Sequence, residues 1–177
     1  MRSSLQSLGG ALALAAMSLT PTVWGQDMSR NPPAPNDTAW AQRVSQGSAA
    51  EIRLAELARL RTSNQAVNGL AQRLADDHNK ASDELKQIAA KKGITLPGAL
   101  ESRHEALYER LSKLNAAEFD KAYVAAMVDE HRAAVADFQH QADTSADPEL
   151  KSFAIKTLPV LQEHLRIAEN LLAQIEK

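Results

Sequence analysis

Apolar residues recur along this chain at alternating steps of four and three, the spacing that gathers them on one face of an α-helix packed against other helices. One run reads Val67, Ala71, Leu74, His78, Ala81, Leu85 and Ile88. Trp40, Val44, Gly47, Glu51, Leu54 and Ala58 make a second, and Val124, Met127, His131, Ala134 and Phe138 a third. The fourth is Leu150, Ala154, Thr157, Leu161, His164, Ala168, Leu171 and Ile175. Each seam is interrupted near mid-length by one ionisable residue. No sustained alternation of β-branched residues suggests strands.

The boundaries follow from capping chemistry. Asp37 is a candidate N-cap for a first helix to about Arg61, and Thr62-Ser63-Asn64-Gln65 fits a capping box for the second. A turn this short forces the two helices antiparallel. Lys91-Lys92-Gly93 ends the second helix with cations and a left-handed cap. The stretch from Ile94 to Asn115 is far longer than the usual helix–helix loop of about 2–8 residues. Within it, Pro97-Gly98 turns the chain and Ser102-Arg103-His104-Glu105 reads as a capping box for a short helix to about Ser112. Asn115 with Glu118 opens the third long helix, and Asp147-Pro148-Glu149 opens the fourth. Pro159 lies inside that last helix and is expected to kink it. One long connection between two tight hairpins implies an all-α, ferritin-like four-helix bundle, with a crossover between helices two and three that contains a short extra helix.

Composition refines this picture. Hydrophobic residues at 44% and aromatics at only 4% describe a core of Ala, Leu and Val. Arg2, the apolar run Leu8–Leu19 and the small-residue site Val23-Trp24-Gly25 predict a signal peptide over residues 1–25. That run is shorter than the ~20 residues that span a bilayer. A polar leader with three prolines, residues 26–36, precedes the bundle domain, residues 37–177. The expected product is periplasmic or secreted, without a transmembrane segment after cleavage. The lack of Cys excludes disulfides, thiolate ligands and a lipidated N-terminal Cys. Beyond the signal the chain carries 19 basic and 22 acidic side chains, without a basic stripe, so nucleic acid is not an expected partner.

The four inward residues carry the candidate chemistry. Counting from the turns at about 1.5 Å per residue, Glu51, His78, His131 and His164 come out close to one level. Buried ionisable groups are costly unless partnered. Two readings therefore stand open: one divalent metal ion (Zn, Cu, Fe or Mn) bound by these four, or a buried polar cluster that sets helix register. Asp77, Glu130 and Glu163 each precede a seam His and are candidate partners for imidazole N–H groups, or else members of solvated faces. Met127 is either a soft ligand or core filling. Asp120 and Tyr123 suggest a hydrogen-bonded pair near the bundle end, and His104 and His140 fall off the seams, as solvent-exposed residues do. The positions three before the seam His residues are Ala75, Val128 and Leu161, which argues against a carboxylate-bridged di-iron site. No catalytic residues are recognisable, and phosphate-loop, dinucleotide and nucleophile-elbow motifs do not occur.

Taken in order, Trp40-Ala41, Gly47-x-x-x-Glu51, Leu57-Ala58, Asn64-x-x-Val67, Ala71, Asp77-His78, Gly93-x-x-x-Pro97, Phe119-Asp120-x-x-Tyr123, His131 and His164 resemble a bacterial family, domain of unknown function 4142. The resemblance extends over about residues 37–172, with Leu74 and Trp40 standing where such sequences often have Met and Phe. It implies a ferritin-like helical fold in exported proteins, often described as outer-membrane proteins, and no established activity. Metal binding in the envelope is one expectation; a structural or interaction protein with an envelope partner, or a homo-oligomer, is the other.

Overall fold

Residues 33–177 are described by a computed structural model. The signal-peptide expectation and most of the leader lie outside them. Five helices follow in order: α1 (Pro35–Arg61), α2 (Gln65–Lys92), α3 (Ser102–Ser112), α4 (Ala116–Thr144) and α5 (Pro148–Ile175). Among the described residues there is no strand, and no helix is long and apolar enough to cross a membrane.

The long helices end where local chemistry satisfies their free backbone groups. Asn115 Oδ1 accepts from Glu118 N, and Asp147 Oδ1 accepts from Glu149 N and Leu150 N. Gly93 takes φ 68°, which lets Ile94 N donate to Ala89 O in a Schellman closure. Three expected caps are corrected. Asn64, not Thr62, caps α2, accepting from Ala66 N and Val67 N, while Thr62 Oγ1 accepts from Asn64 N. Glu101 rather than Ser102 stands at the cap of α3, with its carboxylate turned to Arg103.

The third correction has a tertiary cause. Helix α1 starts at Pro35, whose fixed φ suits the first turn, so Asp37 lies inside the helix. Its buried carboxylate accepts from Gln141 Nε2 at 2.7 Å and Ser145 Oγ at 2.8 Å, tying the start of α1 to the end of α4. Pro159 lies within an unbroken α5 on its exposed side, where the carbonyl deprived of a donor can meet water.

Two core layers establish the topology. One joins the end of α1 (Leu54, Ala58), the start of α2 (Val67, Ala71), the start of α4 (Phe119, Val124) and the end of α5 (Ala168, Leu171). The other joins Trp40, Leu85, Phe138 and Phe153 from the opposite ends. Helices α2 and α4 therefore run parallel, and α2 packs on α1 and α5 rather than on α4. The connection between them climbs the outside of α1. Gln42 donates to Thr95 O, Gln46 donates to Ala99 O, the Arg53 guanidinium lies over the Tyr108 ring, and Arg61 donates to Leu114 O. This is the ferritin-like bundle with a long crossover and a short extra helix.

A candidate metal centre

Midway between the two layers, four helices each contribute one ionisable side chain. Glu51, His78, His131 and His164 are all more than nine-tenths buried. The three imidazoles are compact: one ring nitrogen from each lies within 4.8 Å of the others. Glu51 Oε2 approaches His78 Nε2 to 3.0 Å and His131 Nε2 to 3.4 Å, and His131 Nε2 lies 3.2 Å from His164 Nδ1. The structure thus brings together all four residues singled out by the seams, with Glu51 against two of the three imidazoles.

The outer contacts determine where the protons sit. His131 Nδ1 lies 2.9 Å from the Met127 carbonyl, which can only accept, so this nitrogen carries the hydrogen and donates. His164 Nε2 lies 3.1 Å from Asp77 Oδ2. Burial pushes the Asp77 carboxyl up, but the contacts with His164 and Lys80 outweigh it and hold it below its ordinary range. An ionised Asp77 only accepts, so His164 Nε2 donates. In neutral imidazoles the inner nitrogens, His131 Nε2 and His164 Nδ1, then both present bare lone pairs to each other at 3.2 Å. Two acceptors hold that distance only with a cation beside them: a proton on one ring, or a metal ion. His78 Nε2 and Glu51 Oε2, despite their 3.0 Å approach, are not aligned as a hydrogen bond, and neither makes a hydrogen bond elsewhere.

The charges respond to this crowding. Burial raises the Glu51 carboxyl, but attraction to His131 and His78 more than reverses it, pulling it down to about 2. Burial lowers His78, and the neighbouring Glu51 outweighs this to raise it. Burial, with repulsion from His131 and His78, brings His164 down to about 4 against the pull of Asp77.

The sign of each contribution to stability follows. His164 binds its proton more weakly folded than unfolded, so its contribution is present above pH 6.5 and is lost as pH falls through about 4. A drop from 6.5 to about 4 corresponds to about 3 kcal/mol. The Glu51 contribution is present above 4.5 and is lost as pH falls through about 2. That of His78 is present below 6.5 and is lost as pH rises through its elevated value. Urea unfolding of metal-free protein is therefore expected to show a stability maximum near neutrality, with most of the His164 contribution gone by about pH 4.5. A flat profile between about pH 6.5 and 4.5 would contradict it.

Several expectations about neighbouring residues are revised. Asp77 does reach an imidazole, but that of His164 across the α2–α5 interface, because adjacent positions on one helix diverge. Glu130 instead accepts from Arg103 at 3.2 Å, with His104 Nε2 at 3.6 Å, and Glu163 pairs with Arg166 on the surface. Met127 contributes its carbonyl to the cluster, while its side chain belongs to the apolar layer. His104 is buried, 2% exposed, because α3 lies against α1 and α4 and covers it. His140 is exposed as expected. Tyr123 and Asp120 are not a pair. The buried Tyr123 hydroxyl has no partner, and burial with the nearby Glu51 charge raises its pKa. No seam announces the cavity of about 320 Å³ that reaches Glu51 and His78 from the α1–α4 side.

The family model described as "Domain of unknown function (DUF4142)" matches residues 25–171. Among solved structures, a DUF305 fragment from Deinococcus radiodurans is similar with a TM-score of 0.74 at 20% identity, over 81% of this chain and 99% of that one. A DUF305 protein from Streptomyces coelicolor gives a TM-score of 0.69 at 16% identity, over 79% of this chain and 92% of that one. At such identities the likeness is one of fold. No curated protein matches the chain.

Proposed function

The chain belongs to the family described as Domain of unknown function (DUF4142), and we propose that its bundle binds one divalent transition-metal ion in the cell envelope after export. The ligand atoms in this reading are Glu51 Oε2, His78 Nε2, His131 Nε2 and His164 Nδ1. The observation that carries it is the pair of inner nitrogens on His131 and His164, facing each other at 3.2 Å while both outer nitrogens donate elsewhere. Metal–ligand bonds of about 2.0–2.1 Å place neighbouring ligand atoms about 3.0–3.4 Å apart. The contacts of Glu51 and His131 have this spacing. Imidazole with one carboxylate suits Zn, Fe, Mn or Cu. The Glu51 and Asp77 carboxylates together balance a divalent charge, and the Met127 carbonyl and Asp77 orient two of the rings.

A second reading rests on the 3.0 Å approach of Glu51 to a readily protonated His78. In it the cluster is a proton-filled register lock in a structural protein of the envelope, with an envelope protein or a second copy as partner.

Isothermal titration of metal-free protein with each of the four metals tests the proposal. One equivalent is expected to bind, and Asp77→Asn is expected to weaken binding about 10–100-fold although it removes no ligand atom. No saturable uptake of any of the four metals would overturn the metal reading.

A further inference from the structure

Of the seam positions that pack the four long helices together, Val44, Gly47, Ala81, Ala134 and Thr157 are only half-buried, and all five line the cavity beside the cluster. Each of the four helices thus places a small or short side chain at the seam about one or two turns from its ionisable residue. The space is bounded on one side by Phe138 and Leu161 and on the other by Glu51 and His78. Its rim is charged, yet Arg43 is engaged with Asp137, and Arg103 with Glu130. No rim cation is left to hold an anion.

Gly47 identifies this space as more than imperfect packing. Glycine in a helix interior destabilises it relative to alanine, and is usually explained by a turn or a close backbone approach. Neither applies: Gly47 lies mid-α1, and an added Cβ would meet nothing within 4 Å. It sits one helical turn before Glu51, so the side chain it lacks would stand over that carboxylate. The missing side chain leaves the passage to Glu51 open.

We propose that this cavity is a binding site for a small neutral organic molecule with an apolar body and one hydroxyl head. About 320 Å³ lies at the lower end of ligand-pocket volumes and is suited to a single ring. The apolar walls take the body. At the inner end, Glu51 Oε2 and His78 Nε2 are buried, 3.0 Å apart and without hydrogen-bond partners. A hydroxyl meets both needs, donating to the carboxylate oxygen and accepting from an N–H at His78 Nε2. With a metal bound to the cluster, the same oxygen faces the ion instead. A carboxylate head would meet Glu51 as a like charge, and an ammonium head, which has no lone pair to accept with, would leave His78 Nε2 without a partner.

The inference goes beyond metal binding, and phenol is a probe that separates the two. Metal-free and zinc-loaded protein is titrated with phenol, benzoate and benzylamine, with binding read by protein NMR shifts. Phenol is expected to bind with a dissociation constant on the order of 1 mM. It should shift the His78 and Phe138 resonances, with benzoate and benzylamine at least about tenfold weaker. Gly47→Leu fills the passage and is expected to weaken phenol at least about tenfold without lowering the melting temperature, and Gly47→Ala is expected to weaken it less. The inference is overturned if phenol does not bind, if its shifts map elsewhere, or if Gly47→Leu binds it as well as the parent. Phenol binding without zinc binding removes the metal reading alone; zinc binding without phenol binding removes this one alone.

Discussion

Adding about 1 mM zinc to the metal-free protein is expected to raise its melting temperature by about 8–16 °C. A micromolar site at a thousandfold excess of ligand over Kd stabilises the folded state by about 4 kcal/mol. For a domain of this size each kcal/mol is worth about 2–4 °C. The basis is the cluster of three imidazoles with ligand atoms within 4.8 Å of one another and a carboxylate against two of them. The proton balance gives the stabilisation a direction with pH. Binding requires bare nitrogens on His78, His131 and His164, so protons compete with the ion. His78 holds its proton more tightly than a free imidazole and sets the stronger competition; His164, brought down to about 4, offers almost none near neutrality. The zinc-induced shift is therefore expected to shrink as pH falls below the elevated His78 value. Thermal scans with and without metal across pH check both parts. An unchanged melting temperature with zinc, copper, manganese and iron alike would refute the metal reading.

His131→Ala is expected to cost about 3–5 kcal/mol in urea unfolding. His131 is fully buried and joins the cluster: its ring reaches the Met127 carbonyl, His164 and Glu51. Truncation leaves the Glu51 carboxylate with His78 as its one remaining close imidazole and opens a void between the two packed layers. That cost is a large share of the stability of an ordinary domain, about 5–15 kcal/mol. Replacing Glu51, His78, His131 and His164 together by leucine is expected to be neutral or stabilising by up to about 4 kcal/mol, since no group is left buried without its partner. The quadruple variant should also lose any response to metal. A cost below about 1 kcal/mol for His131→Ala would show that the four residues are not coupled.

The helices and their inward residues were legible because the signal is local. A seam at steps of four and three is a property of one helix's own backbone, and Glu51 and the three histidines interrupt such seams wherever the helices lie. The tight turns and the long Ile94–Asn115 connection likewise announced the crossover, since chain length alone limits which helices can be neighbours. The caps Asn115, Asp147 and Gly93 could be read for the same reason: each is satisfied by groups a few residues away.

What only the tertiary structure decided depends on groups far apart in the chain. Asp37 suits a cap locally, but Gln141 and Ser145, more than a hundred residues on, draw it inward. His104 looks exposed on its own short helix until α3 settles against α1 and α4. Asp77 could have served its neighbour, its own helix face or another helix, and the rotation of α2 against α5 aims it at His164. The cavity is a sum of small side chains, Gly47, Ala81 and Ala134 among them, each unremarkable in its own helix. Periodicity says which residues turn inward; the axial rotation and spacing of packed helices, which no single helix encodes, decide what they meet there.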